Sequence, residues 1–293
     1  ILRTIACDKD VKTTPVSDIM SCNVCCCTPN TDINEAEKMM SQNQIRRIPV
    51  IDNNKIVGIY TGNRGDVVEE LTTTYLARLI DKNKIYCSLS YLGEDGEADV
   101  TTVTTEGMLF CECKSKIITL NSIKGLHESI KTDVYQAIGA AYSQAVRSIE
   151  RVQEGKKFVT PAAEEIVIDD ISSKYIVCVT AENFGIIPSE IQDYIEIDDD
   201  LGIPYVVNVY DLDIITKECE SYEEFIRYIE FRKKNQEVIS TLDELDAFGF
   251  FKKNGNVKIS IDADELMLTD FTSEFDKKYM LEDKKVFQEF FGR

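Results

Sequence analysis

Gly96-Glu-Ala-Asp-Val-Thr-Thr-Val-Thr-Thr-Glu-Gly-Met-Leu-Phe-Cys-Glu-Cys-Lys-Ser-Lys-Ile-Ile-Thr119 is the stretch on which the fold turns. Ala98 to Thr104 and Gly107 to Ser115 both read as strands, rich in Val, Thr, Leu and Phe, with Thr105-Glu106 as the turn and Gly107 supporting it. A two-residue loop sets the pairing so that partner numbers sum to 211. Thr104 then faces Gly107, and Asp99 faces Glu112. Opposed side chains on one face lie about 4.5–5.5 Å apart at Cβ. Along the second strand Glu112 and Lys114 point one way while Cys111 and Cys113 point the other. Asp99, Glu112 and Lys114 are therefore expected to converge. Two carboxylates so close repel unless a cation lies between them. Oxygen ligands with open water positions suit Mg²⁺ or Mn²⁺. A neighbouring Lys can steady a hydroxide or the charge growing on a phosphate. The bland alternative is a surface hairpin carrying a salt bridge.

Working outward, Asp66 to Asn83 shows a helical apolar stripe (Val67, Val68, Leu71, Tyr75, Leu76, Leu79, Ile80), and Ile85 to Leu92 reads as a strand. Ser129 to Gln153 is expected as one long helix, its stripe running Ile130, Val134, Ile138, Ala141, Tyr142, Ala145 and Ile149. Gln144 and Arg147 are offset from that stripe. Tyr175 to Thr180 and Tyr205 to Tyr210 read as buried strands, Asp211 as the cap of a short turn, and Tyr222 to Arg232 as an amphipathic helix.

"LFCECKS", followed by "LNSIKGLHESIKTDVYQAIGAAYSQAVRSIERV" with its Ala141-Tyr142-Ser143-Gln144-Ala145 segment, resembles the PD-(D/E)XK nuclease superfamily over residues 66–235. The resemblance implies an α/β fold: a restriction-endonuclease-like α/β/α sandwich that hydrolyses nucleic-acid phosphodiester bonds. On it Asp99, Glu112, Lys114 and Gln144 are the catalytic set. Asp99, Glu112 and the backbone carbonyl of Cys113 would hold Mg²⁺ or Mn²⁺. The Pro that usually precedes the Asp is absent. A first-helix Glu used by some members corresponds to Glu69 or Glu70. The expected partner is nucleic acid, DNA ahead of RNA. An inactive nuclease-fold interaction module and a CBS-type adenine-nucleotide sensor are the competing functions.

Residues 15–61 read as strand, helix, strand, strand. "VSDIM", "TPNTDINEAEKMM" and "QIRRIPVIDNNKIVGIYT" resemble a CBS repeat, and residues 1–15 resemble the tail of an earlier one. This implies a small N-terminal βαββ unit at 1–62. The family binds adenosine nucleotides between paired repeats. Here only one repeat and a fragment are present, and Asp66 comes two places later after Thr61 than the family pattern sets. The chain alone is therefore not expected to bind a nucleotide tightly. Pairing through this segment would make a homodimer. The pattern breaks at Gly62 to Asp66, which is taken as the domain boundary.

The net charge of −19 argues against a nonspecific nucleic-acid coat. Between Lys114 and Lys157, however, eight Lys/Arg oppose four acids, for a net +4 that could face a phosphate backbone. Residues 236–293 read as an acidic, aromatic extension with a helix near Leu242–Lys253 and a strand at Val257–Ile261. Ten cysteines in a chain of this length point to free thiols in a reducing cytoplasm. Cys22-x-x-Cys25-Cys26-Cys27 lacks the second pair that a zinc site needs. No apolar run is long enough to span a membrane. The first residue, Ile1, suggests a cut or incomplete start.

Overall fold

A computed structural model of the chain describes residues 24–32, 35–36, 38–39, 48–52, 55–60, 64–170, 173–260, 266–275 and 277–279. The "VSDIM" segment, Cys22, the junction at Gly62 and the end of the chain lie outside the described residues. The chain divides into two compact units, Ile1–Arg64 and Gly65–Arg293.

In the first unit, β1 (Ile48–Asp52) and β2 (Lys55–Tyr60) pair antiparallel. Cys27 forms a parallel bridge to Val50, and residues 35–36 and 38–39 are helical. The β1–β2 hairpin is the strand pair that the sequence predicts, and the expected first strand is reduced to the single bridge at Cys27.

The second unit begins with α1 (Arg64–Leu76) and is built on a seven-stranded mixed sheet. Its strands are β3 (Ile85–Tyr91), β4 (Glu97–Val103), β5 (Met108–Lys114), β6 (Phe158–Val159), β7 (Glu165–Ile166), β8 (Lys174–Thr180) and β9 (Tyr205–Asn208), in the order β7-β6-β3-β4-β5-β8-β9. The β4–β5 pairs run from Val103↔Met108 to Val100↔Cys111, the register expected from the two-residue turn. β5 then pairs parallel with β8, and β8 with β9. A parallel pair requires a long crossover. It is supplied by α2 (Leu120–Ile123), α3 (His127–Val134) and α4 (Ala140–Gln153).

Helices cover both faces of the sheet. Leu109, Cys111 and Cys113 of β5 enter one core with residues of α1, α5 (Val209–Glu218), α6 (Tyr222–Lys234) and α7 (Glu244–Asn254). Met108 and Phe110 enter the other core with Val134, Ala141, Tyr142, Ala145 and Ile149. A strand buried on both faces reads as a continuous apolar run. This is why Cys serves as a small hydrophobe here. Among the described residues, none of the eight cysteines is in a disulfide.

Three elements differ from the sequence reading. The long helix is broken by a π-helical turn at Tyr135–Gly139. A Cβ on Gly139 would meet the Tyr135 ring at 2.8 Å and Ile195 at 3.1 Å, so the close approach demands glycine. The strand from Tyr205 stops at Asn208, whose side chain accepts from the N–H groups of Tyr210 and Asp211 and starts α5. Third, the stretch after 236 is no separate extension. β10 (Ile239–Thr241) and β11 (Leu266–Leu268) pair in parallel, and Leu245, Phe248 and Phe251 of α7 fill the first core. No strand forms at 257–260. Among the described residues, no helix is long and apolar enough to cross a membrane.

Candidate active site

The β4–β5 ladder stops at Val100↔Cys111, so Asp99 and Glu112 are not the paired opposites that the sequence predicts, while β3–β4 pairing resumes beyond Asp99 as far as Ser90↔Glu97. On β3–β4, Cys87 pairs with Val100 and Leu89 with Ala98, and the intervening Ser88 lies at φ 48°. A non-glycine residue at positive φ is strained. Ala98 and Val100 enter opposite cores, which a regular strand forbids. The irregularity turns Asp99 out of the ladder and across toward the end of β5.

There Asp99, 3% exposed, is fully engaged. Its Oδ2 accepts from the Cys113 N–H at 2.7 Å and from Lys114 Nζ at 3.2 Å. Its Oδ1 accepts from Gln144 Nε2 at 2.8 Å. The Gln144 Oε1 in turn accepts from Lys114 Nζ at 2.9 Å, and its Nε2 also donates to the Glu97 carbonyl at 2.8 Å. Asp99, Lys114 and Gln144 thus close a ring of hydrogen bonds between β4, β5 and α4. The structure brings Gln144 beside Asp99 and Lys114, while Glu112 stays outside this ring.

Glu112 is the opposite case. It is 1% exposed, and neither of its carboxylate oxygens meets a hydrogen-bond donor. Burial, and after it the Asp99 charge, pushes its carboxyl well above the usual carboxylate range, with Lys114 opposing. Such a group is costly unless a positive charge or a proton compensates it. Beside it, the Lys114 carbonyl accepts from Ala181 N at 3.0 Å on the β8 side, while the Cys113 N–H turns to Asp99 on the β4 side. Alternate residues of a strand address opposite neighbours, so the Cys113 carbonyl is directed to the Asp99 side.

The choice between the two first-helix acids is made by geometry. Glu70 is exposed, whereas Glu69 is half-buried and accepts from Ser88 Oγ at 3.4 Å. Burial first, then Asp99, Glu97 and Asp66, raise its carboxyl to about 7. Thr73, one turn on, touches Cys87 at 3.2 Å, so residues 69 and 73 face β3 together. The α1 stripe of Val68, Thr72 and Leu76 could have indicated which Glu lies beside the sheet. Nothing in the sequence signals the strained Ser88. Among the described residues, no three His, Cys, Asp or Glu side chains form a ready-made metal cluster, so any ion here would rest on two carboxylates, a carbonyl and water.

Comparison with known proteins bears on the first unit. Residues 16–62 match the CBS domain family. Over 58 residues, 20% of this chain and 41% of the relative, the sequence is 45% identical to the CBS domain-containing protein YhcV of Bacillus subtilis. Over 64 residues, 22% of this chain and 37% of the relative, it is 41% identical to the uncharacterized protein MJ1426 of Methanocaldococcus jannaschii. The chain spans less than half the length of either relative. No solved structure matches it. The chain therefore carries a CBS domain at residues 16–62.

Proposed function

We propose that residues 65–293 are a metal-dependent nuclease of the restriction-endonuclease-like type. The supporting observation is Glu112, a buried carboxylate without donors beside the buried Asp99, on the strand that ends in Lys114. The donor set fits a hard divalent cation. Asp99, Glu112 and the Cys113 carbonyl would hold Mg²⁺ or Mn²⁺, with water filling the remaining positions. Such an ion would polarise a phosphodiester and lower the pKa of a bound water.

The chain's own residues do the rest. Gln144 and Asp99 fix the Lys114 ammonium from two sides, so its charge is preorganised for the charge that grows on the phosphate. Glu69, its carboxyl raised to about 7, is placed beside Asp99 to accept a proton at neutral pH. The substrate is nucleic acid, DNA ahead of RNA, in keeping with the net positive stretch from Lys114 to Lys157. The test is incubation of end-labelled single- and double-stranded DNA and RNA with the full chain in Mg²⁺, Mn²⁺ or EDTA. Cleavage in metal and none in EDTA is expected. Cleavage that persists in EDTA excludes the site.

The CBS domain supports an added regulatory role, in which an adenine nucleotide binds between this repeat and one from a second copy. Calorimetry with ATP and AMP at protein concentrations below and above dimerisation tests it. Tight binding by the monomer would contradict it.

A further inference from the structure

Three cations meet one carboxylate close to the candidate active site. Glu94, in the turn between β3 and β4, lies 2.8 Å from Arg151 Nη1, 3.3 Å from Arg147 Nη2 and 3.7 Å from Lys156 Nζ. The two guanidiniums are fixed. Arg151 stands 4.6 Å over the Tyr91 ring and 5.7 Å from that of Phe158, and Arg147 stands 4.8 Å over Tyr91. Arg151 Nη2 also donates to the Lys157 carbonyl at 3.1 Å. Tyr91 is itself anchored through its hydroxyl to Ser148 at 2.7 Å.

Arg151 is 3% exposed, and its Nε has no hydrogen-bond partner. A structural ion pair needs one cation for each carboxylate. Lys156 also pairs with Glu154 at 2.7 Å, and the three cations still exceed the two carboxylates by one. Glu94 lies in a turn, whereas both guanidiniums are stacked on Tyr91. Its side chain is 43% exposed, and it follows Gly93 at φ 77° in a turn that ends at Gly96 at φ 118°. Stacked, preorientated guanidiniums are suited to phosphate oxygens.

The cluster continues the active-site face of α4. Gln144, Arg147 and Arg151 lie at positions i, i+3 and i+7, on one side of the helix. Two turns of helix cover about 10.5 Å, roughly three nucleotide steps along one strand. Gln144 also holds the Glu97 carbonyl at the end of the same turn that carries Glu94.

We propose that Arg147, Arg151 and Lys156 form a subsite for a nucleic-acid phosphate flanking the cleavage position, and that Glu94 fills it as an internal stand-in which the substrate displaces. The inference rests on the reading of the Asp99 site as one that acts on nucleic acid, and it adds where the strand is held and what blocks it.

The experiment is fluorescence anisotropy of labelled DNA and RNA oligonucleotides with the full chain, in EDTA so that cleavage plays no part, over a KCl series. Glu94→Gln should tighten binding at least threefold. The double change Arg147→Ala with Lys156→Ala, both residues about half exposed, should weaken it at least tenfold at low salt. It should also reduce the slope of log K against log salt by about two, since each phosphate contact contributes about 0.9 on duplex DNA. Glu165→Gln, which removes an exposed carboxylate from Lys157, makes the same change in net charge elsewhere and should leave affinity within twofold. Thermal melts confirm folding of each variant. Equal tightening by Glu165→Gln, no response to Glu94→Gln, or no binding by the unaltered chain would each overturn the subsite. Glu94-dependent binding in a protein that never cleaves would instead overturn the nuclease reading and leave the subsite standing.

Discussion

Replacing Glu112 with Gln should stabilise the protein when no divalent cation is present. Glu112 sits on β5, an interior strand, beyond Met108 and Phe110, 1% exposed, with both oxygens unpartnered and its carboxyl pushed well up by burial and by Asp99. An unsatisfied buried polar group costs about 1–3 kcal/mol, and more when it is charged. Gln has nearly the same shape, carries no charge, and its amide can donate toward Asp99. A gain of about 1–3 kcal/mol follows. For a unit the size of residues 65–293 each kcal/mol moves the melting temperature by about 2–4 °C, so a rise of roughly 2–12 °C is expected in EDTA. A metal reverses the comparison. A ligand at tenfold its Kd adds about 1.4 kcal/mol to the protein that binds it, and only the unaltered chain should gain it. The assay is differential scanning calorimetry of both proteins in EDTA and in Mn²⁺. A variant that melts below the unaltered protein in EDTA would refute the reasoning, as would an equal rise for both on adding Mn²⁺.

Four further outcomes are expected. Asp99→Ala should behave oppositely to Glu112→Gln and cost about 1–3 kcal/mol in urea unfolding, because it strands the buried Cys113 N–H and frees Lys114 and Gln144. Lys114→Ala should lower cleavage by about 10²–10³ while thermal melts barely move, since Asp99 keeps its other two donors. Asp211, raised to about 7 chiefly by burial and then by Asp243 and Glu244, holds a proton in the folded state that the unfolded chain has released. Stability should therefore fall as pH rises from about 4 to about 7 and level off above. Asp211→Asn should flatten that decline, as read from urea midpoints at pH 5 and 8. Arg232→Met should cost about 3–5 kcal/mol by chemical denaturation, because it leaves the buried Glu244 without the guanidinium now 3.0 Å away.

The hairpin was legible because two strand-like runs met at a short turn whose length sets the register, and because Cys111 and Cys113 alternate with Glu112 and Lys114. Gln144 was legible only through resemblance, since its offset from the α4 stripe suits a solvated residue equally well. Three features were not legible. The kink at Ser88 and Asp99 arises from where two β-ladders part, a tertiary event. It also gives Asp99 three donors while Glu112 has none, so the two carboxylates respond differently to removal. The early end of β9 came from Asn208, whose side chain competes for backbone N–H groups and starts a helix within an apolar run. The stretch after 236 looked like an acidic extension by composition. Its apolar spacing, Leu245, Phe248 and Phe251, nonetheless marks a helix face, and Asp243 caps that helix.

The central claim is that Asp99, Glu112 and Lys114 cut a phosphodiester with the help of a divalent cation. Its most direct test is single-turnover cleavage of labelled DNA and RNA in Mn²⁺ by the unaltered chain, Glu112→Gln and Lys114→Ala, side by side. Cleavage by the unaltered chain that EDTA abolishes is expected, with a loss of about 10² or more in each variant. Undiminished cleavage by both variants would contradict it, as would the absence of cleavage by a folded, Mn²⁺-binding protein on every substrate.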